Sequence, residues 1–214
     1  MHHTIEVKNI SKILGDQEIL RGVSGRYQSG RIYGFVGRNG SGKTVFFKCI
    51  CGFMKVSKGE ILQNGKSIGG KHGYLKDCGF LIERPGFLEN ESGYKNLKYL
   101  ASINNKIEYQ DIVKSIEQVG LNPKDKRHVG KYSMGMKQRL GIAQAIMEDP
   151  GILILDEPMN GLDDIGVELI RKLLLNLKEE GKLILLASHY KEDIEYLCDE
   201  VFRFDAGVLE KVEG

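Results

Sequence analysis

The sequence predicts an α/β fold: a mostly parallel sheet covered by helices, an N-terminal antiparallel β subdomain, and an α-helical subdomain inserted between them. Three observations carry this. Gly37-Arg38-Asn39-Gly40-Ser41-Gly42-Lys43-Thr44 matches the whole G-x-x-x-x-G-K-[ST] phosphate loop, between the apolar run Ile32–Val36 and the helix-like Val45–Ile50. The continuous apolar runs Ile152–Leu155 and Leu183–Ala187 alternate with helical stretches, the pattern of a parallel sheet buried on both faces. The opening third instead reads as half-buried strands ending in Asn64-Gly65, a strong hairpin turn.

Taken in order, Thr4–Ile10 alternates Ile5 and Val7 with polar neighbours, Glu18–Tyr27 follows, and Glu60–Leu62 runs into the Asn64-Gly65 turn. Cys78–Ile82 is a short buried strand. The helical middle holds Asn96–Ser102, then Tyr109–Val119 with Ile112, Val113, Ile116 and Val119 on one face and Gly120 as its stop. After Ser133 a stripe of Met136, Leu140, Ala143 and Met147 ends at Pro150. Val167–Leu177 is a helix closed by Gly181, Lys191–Cys198 a short helix, and Val201–Phe204 with Val208-Leu209 a closing hairpin. One domain is expected, divided into a β subdomain with the phosphate loop (about 1–75), a helical subdomain (about 88–148) and the rest of the α/β core (about 150–214). Little sequence follows Leu209, so no C-terminal regulatory domain is expected.

At 214 residues, 41% hydrophobic and 28% charged, the chain suits an ordinary globular domain with a real core. A net charge of +2 gives no electrostatic reason to expect nucleic acid. The four cysteines, Cys49, Cys51, Cys78 and Cys198, lack zinc spacing and read as reduced packing residues of a cytoplasmic protein. No apolar stretch reaches the roughly 20 residues that span a bilayer, and Met1-His2-His3 precedes polar sequence rather than a signal-peptide core. His2 and His3 are given no role.

The glycines of the loop let backbone N–H groups turn inward around a polyphosphate, and the next helix presents its N-terminus to the same anion. Residues Gly37 to Thr44 and Val45 are therefore candidate phosphate contacts, with Lys43 on the terminal phosphates and the Thr44 hydroxyl on Mg²⁺. Four apolar residues before Asp156-Glu157 push both carboxylates out at a strand's C-terminal edge, where open α/β sheets bind ligands. Asp156 would orient Mg²⁺ or its waters, and Glu157 would polarise an attacking water.

Tyr132-Ser133-Met134-Gly135-Met136, followed by Lys137-Gln138-Arg139-Leu140, resembles the Leu-Ser-Gly-Gly-Gln signature of ABC-type ATPases and keeps its serine and second glycine. Asn160-Gly161-Leu162-Asp163 resembles that family's D-loop, although Asp163 equally suits an N-cap, and Ser188-His189 resembles its switch histidine. The resemblance covers essentially the whole chain and implies a P-loop NTPase core of RecA-like type that binds ATP with Mg²⁺. It also implies catalysis by Glu157, His189 and Lys43, and a head-to-tail homodimer or heterodimer. In that dimer Ser133, Gly135 and Met136, with Asp163, serve the nucleotide of the opposite subunit. Permease subunits are the implied partners, which places the chain on the inner face of the cell membrane.

Two departures from the family pattern stand out. Where the family usually carries Gln, this chain has Glu83 before Arg84-Pro85-Gly86, as in the bacterial lantibiotic and peptide-antibiotic exporters of bacitracin or multidrug type. Glu83 keeps an oxygen for the metal, loses the amide donor and adds a charge; otherwise it is a surface carboxylate before a turn. Where an aromatic commonly stacks on adenine there is Leu14, which implies weaker adenine discrimination unless another ring such as Tyr27 moves in. The expected function is ATP-driven export of an antimicrobial peptide, lipid-linked compound or drug. The alternative, a soluble ABC-type ATPase acting on ribosome or DNA, typically carries two cassettes or a long coiled-coil insertion.

Overall fold

In the computed structural model, which describes residues 2–212, the chain opens with β1 (Thr4–Leu14) and β2 (Gln17–Gln28), paired antiparallel. β1 runs four residues beyond the predicted Ile10. The register shifts between Val7 and Ile10 and again around Lys12, with Asn9 at φ 47°, so a bulge carries Lys8-Asn9 outward and returns Ile10 to the core. Two polar residues after Ile10, Ser11-Lys12, break the alternation and made the strand look finished. β4 (Lys58–Gln63) and β5 (Lys66–Ile68) form the predicted hairpin, with Asn64 at φ 50° and Gly65 at φ 77°, and complete a four-stranded sheet of order β2-β1-β4-β5.

The second sheet has order β10-β9-β3-β8-β7-β6. Its strands are β3 (Arg31–Val36), β6 (Cys78–Leu81), β7 (Ile152–Asp156), β8 (Leu183–Ala187), β9 (Glu200–Asp205) and β10 (Val208–Lys211); all pairings are parallel except that of β10 with β9. Successive residues feed opposite layers. Ile152, Ile154, Leu183 and Leu185 join the core beneath the antiparallel sheet and α1 (Lys43–Ile50). Leu153, Leu155, Ile184 and Leu186 join the core under α2 (Gly93–Asn104), α3 (Tyr109–Gln118), α4 (Met134–Ile146), α5 (Asp164–Glu179) and α6 (Lys191–Leu197). Burial on both faces explains why these strands read as continuous apolar runs.

The helices begin where caps allow. Ser92 accepts from the Lys95 N–H at 3.3 Å, so α2 starts ahead of the predicted Asn96, and Asp163 accepts from the Gly166 N–H at 3.0 Å at the head of α5. All four cysteines are free, and burial raises the thiol of Cys49 to about 11 and that of Cys198 to about 12, so both stay protonated and act as packing. His3 does have a structural place: it is buried, its Nε2 lies 3.0 Å from Asp77 Oδ2, and its backbone N–H donates to Ser29 Oγ at 2.8 Å. Among the described residues no helix is long and apolar enough to cross a membrane.

β6 and α4 approach so closely that a Cβ at Gly79 would lie 1.7 Å from the Ala145 carbonyl oxygen. Because that oxygen is helical backbone, relief requires moving α4. Gly79→Ala is expected to destabilise the protein by about 3 kcal/mol, read as a lower midpoint in urea denaturation; an unchanged midpoint would contradict this packing.

Candidate functional site

In the six-stranded sheet Phe35 pairs in register with Ala187, and Ala187 with Asp156. Three adjacent strands therefore finish on one line, so the segment leaving each of them emerges at the same edge: the glycine loop after β3, Ser188-His189 after β8, and Glu157 after β7. Beside them β6, paired through Leu81 and Leu155, leads into Glu83.

The loop wraps around α1's first turn. Gly42, its N-cap, sits at φ 115°, and a Cβ there would meet Leu20 Cδ2 at 3.1 Å and the Ile19 oxygen at 3.2 Å. No acidic residue occupies α1's first turn, so its N–H groups and positive dipole end face the loop without a protein anion. Lys43 is buried and bends back across the loop, its ammonium donating to the carbonyls of Gly37 at 2.7 Å and Arg38 at 3.3 Å.

Thr44 Oγ1 donates to Asp156 Oδ2 at 2.6 Å, joining α1 to the end of β7. Asp156 is buried, and loss of solvent raises its pKa against the opposing pull of the Thr44 hydrogen bond and the Lys43 charge. The Asp156 carboxylate and the Thr44 hydroxyl beside it form a hard-oxygen donor pair that fits Mg²⁺. Among the described residues no cluster of three or more His, Cys, Asp or Glu forms a metal cage. Magnesium bound with phosphate oxygens and water does not need one.

Glu157 adopts φ 53°, a left-handed conformation that is strained for a side-chain-bearing residue. Its carbonyl is held by Gln138 Nε2 at 2.9 Å and the Asn160 N–H at 3.2 Å, while its Oε2 receives the His189 N–H at 3.2 Å and lies 2.7 Å from His189 Nδ1. With a carboxylate at that distance, Nδ1 carries a proton and donates to Glu157 Oε2. Glu83, also left-handed at φ 61°, pairs through Oε1 with Lys48 Nζ at 2.6 Å and is largely exposed.

These groups border a cleft of about 560 Å³ whose lining includes Leu14, residues Asn39 to Val45, Glu83, Asp156 and Glu157. Gly37 and Arg38 line a neighbouring recess with Glu157 and His189. Ser133, Gly135, Met136 and Asp163 are not on the cleft wall. Ser133 caps α4, accepting from the Met136 N–H at 3.2 Å; Gly135 packs where a Cβ would sit 2.6 Å from the Gly161 oxygen; and Asp163 Oδ1 caps α5. Tyr27 cannot serve as a base-stacking ring: it is fully buried, edge-on to Tyr33, Phe35, Phe46 and Phe202. The aliphatic Leu14 and Ile19 line the cleft instead. Sequence reasoning also missed Lys48, Gln138 and Met134. Gln138, a polar residue on the buried stripe of α4, was the one legible signal.

The ABC transporter family model matches residues 20–160. The chain is 40% identical over 209 residues to the uncharacterized ABC transporter ATP-binding protein YybJ of Bacillus subtilis (strain 168), covering 98% of this chain and 96% of that one. It is 36% identical over 195 residues to the lantibiotic transport ATP-binding protein SrtF of Streptococcus pyogenes, covering 91% of this chain and 84% of that one. A solved ATP-binding subunit of an ABC transporter superposes with a TM-score of 0.86 at 26% identity, over 97% of this chain and 89% of that one.

A raised carboxylate pKa means that Asp156 adds stability only at acid pH and withdraws it as pH rises through the folded-state value. Nucleotide-free Asp156→Asn is therefore expected to melt above wild type at pH 7 and to lose the stabilisation wild type gains from Mg·ATP. A melting temperature below wild type would refute the charge argument.

Proposed function

We propose that this chain, which belongs to the ABC transporter family, is the ATP-binding and ATP-hydrolysing subunit of an exporter and works on the inner face of the membrane through separate permease subunits. The observation that carries the reading is one sheet edge bearing a complete phosphate loop, the Thr44–Asp156 contact at 2.6 Å and the Glu157–His189 contact at 2.7 Å.

In this reading Lys43 leaves the loop carbonyls for the terminal phosphates, and the N-terminus of α1 receives the remaining negative charge. Glu157 accepts a proton from a water whose oxygen bonds to the γ-phosphorus as the bond to the bridging oxygen breaks, giving ADP and phosphate. His189 fixes Glu157 through Nδ1–H, and a protonated Nε2 would donate to a γ-phosphate oxygen. Thr44 and Asp156, with Glu83 beside them, would hold Mg²⁺, which would supply neutralisation of the phosphate charge.

Ser133, Gly135, Met136 and Asp163 are proposed to act on the nucleotide of a second subunit, identical or closely related. Their position off the cleft of their own chain supports this, and so does the outward-facing helix N-terminus that Ser133 caps. Docking to a permease is supported by an exposed aromatic group: Phe53 packs 4.8 Å from Phe80 and 5.8 Å from Tyr74, centroid to centroid, yet all three remain open to solvent. The cargo class, antimicrobial peptides, is supported by the likeness to the lantibiotic relative and by Glu83.

Glu157→Gln should retain ATP binding, lose about 10²- to 10⁴-fold in hydrolysis and accumulate as a dimer with Mg·ATP, measured by steady-state turnover and sedimentation. Undiminished hydrolysis would refute the assignment of the base. With the aliphatic Leu14 and Ile19 at the base end of the cleft, ATP and GTP should bind with affinities within about fivefold, since aromatic stacking worth about 1–3 kcal/mol is missing. A strong ATP preference that persists in Leu14→Ala would count against it.

A further inference from the structure

Glutamate in place of a neutral amide brings a third carboxylate to a cleft that already holds Asp156 and Glu157. The structure supplies its counter-ion from the phosphate-loop helix itself. Lys48 comes four residues after Thr44 on α1, so both side chains stand on the same helix face. Its Nζ lies 2.6 Å from Glu83 Oε1, and its side chain, 28% exposed, is more sheltered than that of Glu83 at 61%. Both charges are felt at the end of β7, where Glu83 raises and Lys48 lowers the pKa of Asp156. Glu83 sits at φ 61°, two residues past the last residue of β6, so its backbone direction is set by the strand end and its carboxylate by the lysine.

We propose that Lys48 is a positioning residue for Glu83: the ion pair is where this carboxylate rests in the nucleotide-free subunit, and Glu83 leaves it for the metal when Mg·ATP enters. The proposal rests on the reading of Glu83 as a metal contact. A largely exposed pair is weak, which suits a contact that must be exchanged. A divalent cation beside the triphosphate is the stronger competitor for the same oxygen, and release frees the Lys48 ammonium toward the cleft. A glutamine at this position would need no such partner, so residues 48 and 83 act as a unit.

The test is a double-mutant cycle read by binding. The Mg²⁺ midpoint for binding a fluorescent ATP analogue is measured in wild type, Lys48→Met, Lys48→Arg, Glu83→Gln and the Lys48→Met/Glu83→Gln double variant. Lys48→Met should lower the midpoint about threefold, the scale of a weak surface pair, and Lys48→Arg should restore it. In the Glu83→Gln background the same lysine substitution should shift it distinctly less. Hydrogen exchange of residues 83–87 without nucleotide should be faster in Lys48→Met and match wild type in Lys48→Arg. Equal midpoint shifts in both backgrounds, or unchanged exchange, would overturn the proposal. An unchanged midpoint in Glu83→Gln alone would instead remove the metal reading and the transfer with it, whereas faster exchange in Lys48→Met would still support the lysine as the resting partner.

Discussion

Everything at the site depends on the register that ends β3, β8 and β7 together. Phe35, Ala187 and Asp156 lie across from one another, and the Ser188 N–H returns to the Phe35 oxygen at 3.3 Å. A slip of one residue in any of these strands would turn its buried side chains toward the opposite core, so the apolar packing of both faces enforces the alignment of the functional loops. Stability and function share this one constraint. The loops hold their chemistry in place because the strands beneath them cannot shift.

The wall behind the phosphate loop is aromatic. Tyr27, Tyr33, Phe35, Phe46, Phe47, Phe202 and Phe204 are all buried, with contacts such as Phe46 to Phe204 at 5.2 Å and Phe35 to Phe46 at 5.4 Å. Edge and tilted ring pairs contribute about 0.5–1.5 kcal/mol each beyond area burial, and they hold both the strand before the loop and the helix after it. Burial also pushes the Tyr27 hydroxyl well above its usual range, and its oxygen has no hydrogen-bond partner among the described residues. That hydroxyl is a cost of the wall. It shows why the ring belongs to the core rather than to a nucleotide base.

What could be read from the sequence was what repeats or alternates. The continuous apolar runs of β7 and β8 gave both strands, and Asn64-Gly65 gave its hairpin, because backbone preference and burial act there in the same sense. The extension of β1 past Ile10 was hidden because Ser11-Lys12, two polar residues in succession, break the alternation that marks a strand. The early start of α2 depended on a single capping side chain, Ser92, which looks like a loop residue until the chain turns, whereas the Asp163 cap of α5 was already legible. At the site, contiguous motifs were legible. The partnerships were not: Lys48 with Glu83, Gln138 with the Glu157 carbonyl, and His3 with Asp77 join residues far apart in sequence, with no local pattern to announce them.

The candidate groups at the strand ends are engaged with protein partners. Lys43 donates to its own loop, Thr44 to Asp156, His189 to Glu157, and Lys48 pairs with Glu83. In the proposed reading, ligand entry would exchange these contacts rather than create new ones from solvent-facing side chains. Such pairing leaves few charges unsatisfied, which favours the fold. Asp156 is the exception: loss of solvent raises its pKa even with Thr44 attached. Left-handed backbone at Glu157 and Glu83 adds local strain at the same strand ends. A ligand shifts a conformational equilibrium only by its difference in affinity for the two states. In the proposed reading that difference would be concentrated in a few residues at the ends of adjacent strands, next to the loop that begins at Glu83.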